Sequence, residues 1–159
     1  SMEAVEAAAE NMKTRIMVAI PNAEVKGFLV EKMAPEGLEV IVGMRRDPTF
    51  GPLMMFGLGG IYVELFKDVG FGVAPLNQNQ ARDMIEKTKA GKLLKGFRGG
   101  LAYDMESVID AIGRLNQIAL DFPAISEIEV NPLLVLPEGE GAKILDARAI
   151  LINQRDEEK

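Results

Sequence analysis

The sequence contains no histidine and no cysteine among its 159 residues. It therefore has no side chain whose ordinary pKa lies near neutrality. The missing histidine excludes a Ser-His-Asp triad, a histidine metal site and a phosphohistidine on this chain. The missing cysteine excludes disulfides, thiolate metal sites and a cysteine nucleophile. Any catalysis must use carboxylates, cations, a bound ion or a partner.

The sequence also lacks an excess of positive charge and any long apolar run. Lys and Arg number 18 against 24 Asp and Glu, which gives a net charge of −6. This acidity argues against a nucleic-acid partner, because such partners require a positive surface. No apolar run approaches about 18 residues, and no basic-then-apolar leader is present. We therefore expect a globular cytoplasmic domain without a membrane span.

Hydrophobic periodicity and turn residues predict an α+β domain. One helix is predicted over residues 3–19 and ends before Pro21. A second opens at Asn77 with Gln80 as its capping-box partner, and a third is capped by Asp104 and ends at Pro123. Strands are predicted at 27–33, 38–44, 52–56, 61–67, 71–74, 127–136 and 142–150, with a hairpin joining 38–44 to 52–56.

The last two predicted strands allow a geometric prediction. If their loop is centred between residues 138 and 139, the opposed pairs are Asn131 with Asp146 and Glu129 with Arg148. Opposed residues share a face, with Cβ atoms roughly 5 Å apart. An Asn and an Asp at that separation can share one Mg²⁺, which takes few protein ligands and keeps several waters. The alternative is a solvated strand face with a weak ion pair.

Two further segments are candidates for phosphate contacts. The sequence GLGG at 57–60 can offer backbone N–H groups to a phosphate, or it can form a tight turn between strands. It does not complete G-x-G-x-x-G, because Tyr62 stands at the third glycine position. Arg45 and Arg46 can clamp phosphates as planar forks, or they can belong to an exposed turn.

Several segments, taken in order, resemble one family. They are GFLVEKM at 27–33, GLEVIVG at 37–43, RDPTFGP at 46–52, FGLGGIYVE at 56–64, ALDFP at 119–123, EVNP at 129–132 and DAR at 146–148. Together they resemble the ATP-grasp domain of ADP-forming acyl-CoA (acetyl-CoA) synthetases of the β-subunit type, and more distantly succinyl-CoA synthetase β subunits. The resemblance implies an ATP-grasp fold with a mixed or antiparallel sheet and flanking helices.

The resemblance also implies roles for particular residues. Asn131 and Asp146 match the magnesium ligands, and Glu129 matches a catalytic carboxylate that meets the phosphohistidine loop of a partner domain. The implied nucleotide-binding residues are Glu31, Lys32 and Met33 at the adenine hinge, Glu39 on the ribose side, Arg46 and Asp47 at a phosphate-side turn, and Gly59 and Gly60 in the glycine-rich turn.

The implied reaction is that of an acid–thiol ligase, in which ATP, a carboxylic acid and CoA give ADP, phosphate and acyl-CoA. In the family an acyl phosphate forms first, and its phosphoryl group passes to a histidine on a CoA-binding domain. A mobile loop then carries the phosphohistidine to the ATP-grasp site. The resemblance thus implies Mg²⁺ and ATP or ADP as ligands, and CoA on a partner domain or α subunit. The full enzyme is expected to be an oligomer.

The chain departs from the family pattern at its start. The family's ATP-grasp domain begins earlier, with a lysine that touches the nucleotide phosphates and in many members a histidine; neither is present here. We expect residues 1–159 to be the C-terminal portion of such a domain. Its parts would be a leading helix at 1–20, a nucleotide- and magnesium-binding core at 25–150 and a charged tail at 151–159. Without the missing N-terminal part, the chain alone is expected to be inactive.

Two other functions remain open from the sequence. Some proteins carry this synthetase-like region beside a protein acetyltransferase domain, where it senses a ligand and does not turn over. A subunit-interaction domain that has lost nucleotide binding is the third possibility. The pair Asn131 and Asp146 favours a live nucleotide site, although a sensor also needs its ligand.

Overall fold

The structure is a computed structural model that describes residues 1–60 and 68–152. The strand predicted at 61–67 and residues 153–159 of the predicted tail lie outside the described residues. The chain forms two compact units, Ser1–Ala34 and Pro35–Lys159. Each unit is described by itself.

The first unit contains one helix. Helix α1 spans Met2–Ala19, and the Ser1 side chain caps it by accepting a hydrogen bond from the Ala4 N–H. The strand predicted at 27–33 is wrong, because this segment has no regular secondary structure. A strand persists only where a neighbouring strand supplies hydrogen bonds, and none does so within this unit. The apolar side chains of the segment are exposed instead, with Leu29 84 % and Met33 88 % exposed.

The second unit is built on a sheet whose strand pairs are all antiparallel. Its strands are β1 (Leu38–Asp47), β2 (Gly51–Leu58), β3 (Val69–Val73), β4 (Ile125–Val135), β5 (Ala142–Ile144) and β6 (Ala147–Leu151). The order is β3-β2-β1-β4-β5, and β6 also pairs with β4. The α-helices among the described residues of this unit are α2 (Gln78–Glu86), α3 (Lys89–Leu94) and α4 (Met105–Asp121). A single 3-10 turn lies at Phe97–Gly99.

The core lies between one face of the sheet and these three helices. Alternate residues of β1 point into it, namely Val40, Val42 and Met44, and they cluster with buried residues of α2, α3 and α4. Since strand side chains alternate between faces, residues 43 and 45 point to the opposite face. The predicted α+β class, with an antiparallel sheet and flanking helices, is confirmed.

Helix starts follow their capping residues. Asn77 and Gln80 form the predicted capping box of α2, and Asp104 caps α4 as predicted. Helix α3 was not predicted, although Thr88 precedes it as N-cap. The Thr88 hydroxyl accepts from the Gly91 N–H at 2.9 Å and donates to the Ile85 carbonyl at 2.7 Å.

No helix in residues 1–60 and 68–152 is long and apolar enough to cross a membrane.

The strand predicted at 142–150 is wrong as a single element, because it divides into β5 and β6 around Asp146. The division lies opposite Pro132 of β4. Leu145 donates its N–H to the Pro132 carbonyl at 3.1 Å, but proline has no N–H to donate in return. The hydrogen bonds between β4 and the final strands are therefore interrupted at Pro132, although the residue pairs on both sides of it keep the same register.

The buried hydroxyl of Thr88 gives a stability prediction. The residue is 3 % exposed, so Thr88→Val leaves the Gly91 N–H unpaired in the core, while the Ile85 carbonyl keeps only the Thr88 backbone N–H. We expect the free energy of unfolding, measured by urea denaturation, to fall by about 1–3 kcal/mol. Thr14→Val on the exposed surface of α1 is the control and should change it by less than about 0.5 kcal/mol. Equal losses in both variants would contradict this assignment.

Candidate functional site

The register of the final hairpin brings the predicted polar residues together. Glu129 of β4 is paired with Arg148 of β6. Two residues further along β4, Asn131 donates its N–H to the Asp146 carbonyl at 3.1 Å. The predicted register is confirmed, and it sets Asn131 across from Asp146.

The Asn131 side chain forms hydrogen bonds through both of its polar atoms. Its Oδ1 accepts the N–H of Gly60 at 3.1 Å, and its Nδ2 donates to Oε1 of Glu129 at 3.2 Å. An amide oxygen has two lone pairs, so Oδ1 can accept the Gly60 bond and still ligate a cation. The side chain is thereby oriented before any ligand arrives.

The Asp146 carboxylate is exposed at the junction of β5 and β6. Its Oδ1 accepts the N–H of Ala147 at 2.8 Å, while Oδ2 accepts no hydrogen bond from the described residues. Those residues also contain no cluster of three or more histidine, cysteine, aspartate or glutamate side chains suited to a metal. A cation here would take two protein oxygens, one from Asn131 and one from Asp146, and fill its shell with water and phosphate oxygens. Mg²⁺ is the ion that prefers such a set.

Arg148 lies between two carboxylates beside this pair. Its Nη2 is 2.8 Å from Oε1 of Glu127 and 3.7 Å from Oε2 of Glu129. The guanidinium offsets the repulsion between the two carboxylates, which are neighbours on one strand face. Glu129 is thus contacted through one oxygen by Asn131 and through the other by Arg148, and this fixes its orientation.

The glycine-rich turn completes this end of the site. The Gly59 N–H donates to the Glu39 carbonyl at 2.9 Å. A Cβ at Gly59 would lie 2.7 Å from the backbone of Val40, and one at Gly60 would lie 2.5 Å from Oε2 of Glu39. Gly59 therefore requires glycine, the φ of +61° at Gly60 favours glycine there, and the Glu39 carboxylate lies at the turn. The N–H groups of both glycines are hydrogen-bonded within the protein, so their contact with phosphate stays a prediction.

Arg46 and Asp47 lie at the other end of β1. Arg46 lies seven positions along the strand from Glu39, or roughly 23 Å. The Arg46 guanidinium donates to the carbonyls of Ala119 at 2.8 Å and Ile125 at 3.2 Å, near the end of α4. The structure therefore does not bring these two residues to the Asn131 end, and their contact with phosphate remains a prediction.

Glu31, Lys32 and Met33 belong to the first unit, where they are exposed and irregular. Their contact with adenine likewise stays a prediction.

A cleft of about 720 Å³ lies on the sheet face away from the helices. Glu129 lines it, and it extends to the β1–β2 turn, where Arg46 and Asp47 also line it. Most of its other lining residues were not predicted as site residues, among them Gly43, Met55 and Phe71. Each belongs to a strand that was predicted, but only the pairing between strands shows that they meet on one face.

Comparisons with known proteins agree with the resemblance seen in the sequence. A family model described as an ATP-grasp domain matches residues 1–151. The chain is 42 % identical over 132 residues to acetate–CoA ligase [ADP-forming] I of Archaeoglobus fulgidus, covering 83 % of this chain and 19 % of that protein. It is 46 % identical over 131 residues to the β subunit of acetate–CoA ligase [ADP-forming] I of Pyrococcus furiosus, covering 82 % and 56 %.

Solved structures give the same result. One is acetyl-coenzyme A synthetase 1 of Ca. Korarchaeum cryptofilum with coenzyme A, acetyl-coenzyme A and a phosphorylated phosphohistidine segment. It is 46 % identical with a TM-score of 0.82, over 96 % of this chain and 67 % of that chain. Another structure of that enzyme, with coenzyme A and Mg-AMPPCP, is 50 % identical with a TM-score of 0.70, over 75 % and 55 %. The chain spans between about one fifth and just over half the length of these two curated relatives. The predicted resemblance and the ATP-grasp fold are confirmed.

Asp47 gives a pH-dependent prediction. Hydrogen bonds from the N–H groups of Phe50 and Thr49 hold the pKa of Asp47 below its ordinary value of 3.8. A lowered pKa means that the charged form stabilises the fold, fully above pH 3.8 and progressively less as the pH falls through the lowered value. We expect Asp47→Asn to lower the urea midpoint at pH 7, with the difference from the parent protein shrinking below pH 3.8 and vanishing below the lowered pKa of Asp47.

The control for this series is Asp83→Asn, because Asp83 is exposed and accepts no hydrogen bond from the described residues. Its urea midpoint should stay near that of the parent protein at each pH. A difference for Asp47→Asn that persists unchanged into acid would contradict the role assigned to the Asp47 charge.

Proposed function

Since this chain belongs to the ATP-grasp family, we propose that it supplies the magnesium–nucleotide side of an ADP-forming acyl-CoA synthetase. The whole protein would act as an acid–thiol ligase that converts ATP, a carboxylic acid and CoA into ADP, phosphate and acyl-CoA. The observation that carries this proposal is the placement of Asn131 across from Asp146 in the final hairpin. The names of the relatives support the same reaction class.

In this proposal Asn131 and Asp146 hold the metal ion through the amide oxygen and the carboxylate. When bound, magnesium would neutralise part of the phosphate charge during phosphoryl transfer. The hydrogen bonds from Gly60 to Asn131 and from Ala147 to Asp146 hold both ligands in place beforehand. Such preorganisation stabilises the transition state because no reorientation of the ligands is needed during the reaction.

Glu129 is the proposed catalytic carboxylate. In the direction of ATP formation, the N–P bond of a partner's phosphohistidine breaks and its electron pair stays on the imidazole nitrogen. An oxygen of the terminal phosphate of ADP forms the new P–O bond. If the second ring nitrogen donates its N–H to Glu129, the ring leaves as neutral imidazole. Glu129 can accept this bond because Asn131 and Arg148 already fix its orientation.

The proposed partner is a CoA-binding, histidine-bearing domain or α subunit, together with the N-terminal part of the ATP-grasp domain. This chain contains no histidine, so the phosphorylated residue must come from elsewhere. The β-subunit name of the Pyrococcus relative and the phosphohistidine segment in the Korarchaeum structure support such a partner. We propose that the full enzyme is a cytoplasmic oligomer.

The remaining nucleotide contacts are proposed from the resemblance. Residues 25–150 would form the nucleotide-binding core. Adenine would lie against Glu31, Lys32 and Met33, the ribose near Glu39, and the phosphates near Gly59 and Gly60. Arg46 and Asp47 are left out of this set, because they lie at the far end of β1. The position of Glu39 at the glycine-rich turn supports its place in this set.

The metal assignment predicts the effect of Asp146→Ala in the complete protein with its partner. With acyl-CoA, ADP, phosphate and Mg²⁺ supplied, we expect the rate of ATP formation to fall by about 100-fold or more. The unfolding midpoint should stay unchanged, because the Asp146 side chain is exposed. Asp110→Ala is the matched control: Asp110 is an exposed carboxylate on α4 that pairs with Arg114, and its loss should leave the rate near normal.

The outcomes separate the possibilities. A normal rate in Asp146→Ala would overturn the metal assignment. Mg-dependent nucleotide binding by the parent protein without ATP formation from any acyl-CoA would overturn the synthetase reaction in favour of a ligand-sensing module. Absence of nucleotide binding would favour a subunit-interaction domain.

A further inference from the structure

The loop between α3 and α4 has an unusual backbone conformation. Gly96, Arg98 and Gly99 have positive φ angles of 81°, 54° and 77°, and Arg98 is the only non-glycine residue with positive φ among the described residues. The Cβ of an L-residue makes this conformation costly, whereas glycine adopts it freely. The fold alone would therefore favour glycine at position 98, which indicates that the arginine side chain has another role.

The Arg98 side chain contributes little to the fold. It is exposed, its Cζ lies 5.3 Å from the centroid of the Phe97 ring, and it forms no ion pair with the described residues. Phe97 and Leu101 of the same loop are 56 % and 59 % exposed. An arginine beside exposed aromatic and aliphatic side chains is typical of a protein–protein interface.

The loop between β4 and β5 adds carboxylates to this surface. The N–H of Glu138 donates to the carbonyl of Ala102 at 3.1 Å, so this loop lies directly beside the α3–α4 loop. Glu138 and Glu140 are exposed, and neither forms an ion pair with the residues that the structure describes. We call the following residues the loop patch: Phe97, Arg98, Leu101, Glu138 and Glu140.

The two signs of charge lie on different sides of the apolar part of the loop patch. Residues 87–98 contain five of the 18 Lys and Arg residues of the chain and none of the 24 Asp and Glu residues. Leu101 follows this basic segment, and the carboxylates lie beyond Leu101, next to Ala102. A partner surface with one sign of charge would be repelled by one side of the loop patch. The partner that fits must carry both signs with an apolar group between them.

A second copy of this chain has that arrangement. In a two-fold symmetric contact the same surface is used on both copies, and every contact between two different residues occurs twice. An axis through the apolar part of the loop patch sets Arg98 of each copy against the carboxylates of the other. It also brings together Phe97 and Leu101 of both copies, away from water.

We propose that the loop patch is the contact surface of a two-fold symmetric homodimer of this chain. The contact requires neither nucleotide nor metal, so it is independent of the proposed function. The patch is small, and we expect a monomer–dimer equilibrium with a Kd of roughly 10–100 μM at low ionic strength, where charge pairs are least screened.

The test is sedimentation equilibrium of the 159-residue chain and two charge-reversed variants, Arg98→Glu and the double variant Glu138→Lys/Glu140→Lys. Each variant alone places like charges against each other across the axis, so we expect its dimer Kd to rise by at least about 10-fold. An equimolar mixture of the two variants restores both sets of opposite charges. It should form heterodimers with a Kd within about threefold of the parent value, a result that a misfolded variant could not give.

Two further variants serve as controls. Arg114→Glu reverses an exposed charge about 15 Å along α4 from Asp104 and should keep the parent Kd. Arg98→Gly should weaken the dimer about fivefold without lowering the urea midpoint, which is measured on dilute monomer, because glycine suits the positive φ. A lowered midpoint in this variant would overturn the role given to Arg98.

The remaining outcomes are equally decisive. A parent chain that stays monomeric at 500 μM would overturn the homodimer. Variants that dimerise as the parent does would overturn the loop patch as its contact surface. Variants that stay monomeric when mixed would overturn the two-fold pairing of Arg98 with the carboxylates. None of these results depends on ATP formation, so each leaves the proposed function to its own test.

Discussion

Strand β4 pairs along both edges, with β1 on one side and with β5 and β6 on the other, and the side chains of the candidate site take their positions from this pairing. A slip of one residue would turn every β4 side chain to the opposite face. Val130 and Leu133, buried in the core, oppose such a slip because it would expose them. The same apolar contacts therefore keep Glu129 on the sheet face away from the helices, called the open face below. The packing of β4 against the helices therefore determines which of its polar side chains lie on the opposite face of the sheet.

A chain of polar contacts crosses the strands on the open face. It runs from the Gly60 N–H to Asn131, from Asn131 to Glu129, and from Glu129 through Arg148 to Glu127. Three parts of the chain far apart in sequence, the end of β2, β4 and β6, therefore hold one another in place. A ligand set oriented by such supporting contacts needs little reorganisation when a metal and nucleotide bind.

The features that the sequence predicts correctly depend on residues close together in the chain. The register of the final hairpin follows from counting outwards from one loop, and the capping residues Asn77 and Asp104 act on the next three residues only. The two wrong strand predictions depend on residues far away in the sequence. Residues 27–33 have no neighbouring strand to pair with, and Pro132 of β4 interrupts the hydrogen bonds to the strand opposite it. The direction of the Arg46 side chain, towards carbonyls at the end of α4, depends on which face the helices cover. The shared face of the cleft residues Glu129, Gly43, Met55 and Phe71 depends on three strand pairings at once, and no local pattern predicts them.

The central claim is that Asn131 and Asp146 together hold the metal of the bound nucleotide. Its most direct test is a crystal structure of the complete protein with a non-hydrolysable ATP analogue and Mn²⁺ in place of Mg²⁺, with the ion located by anomalous scattering. We expect one anomalous peak within about 2.0–2.5 Å of both Oδ1 of Asn131 and a carboxylate oxygen of Asp146. A nucleotide-bound ion that contacts neither residue would contradict it.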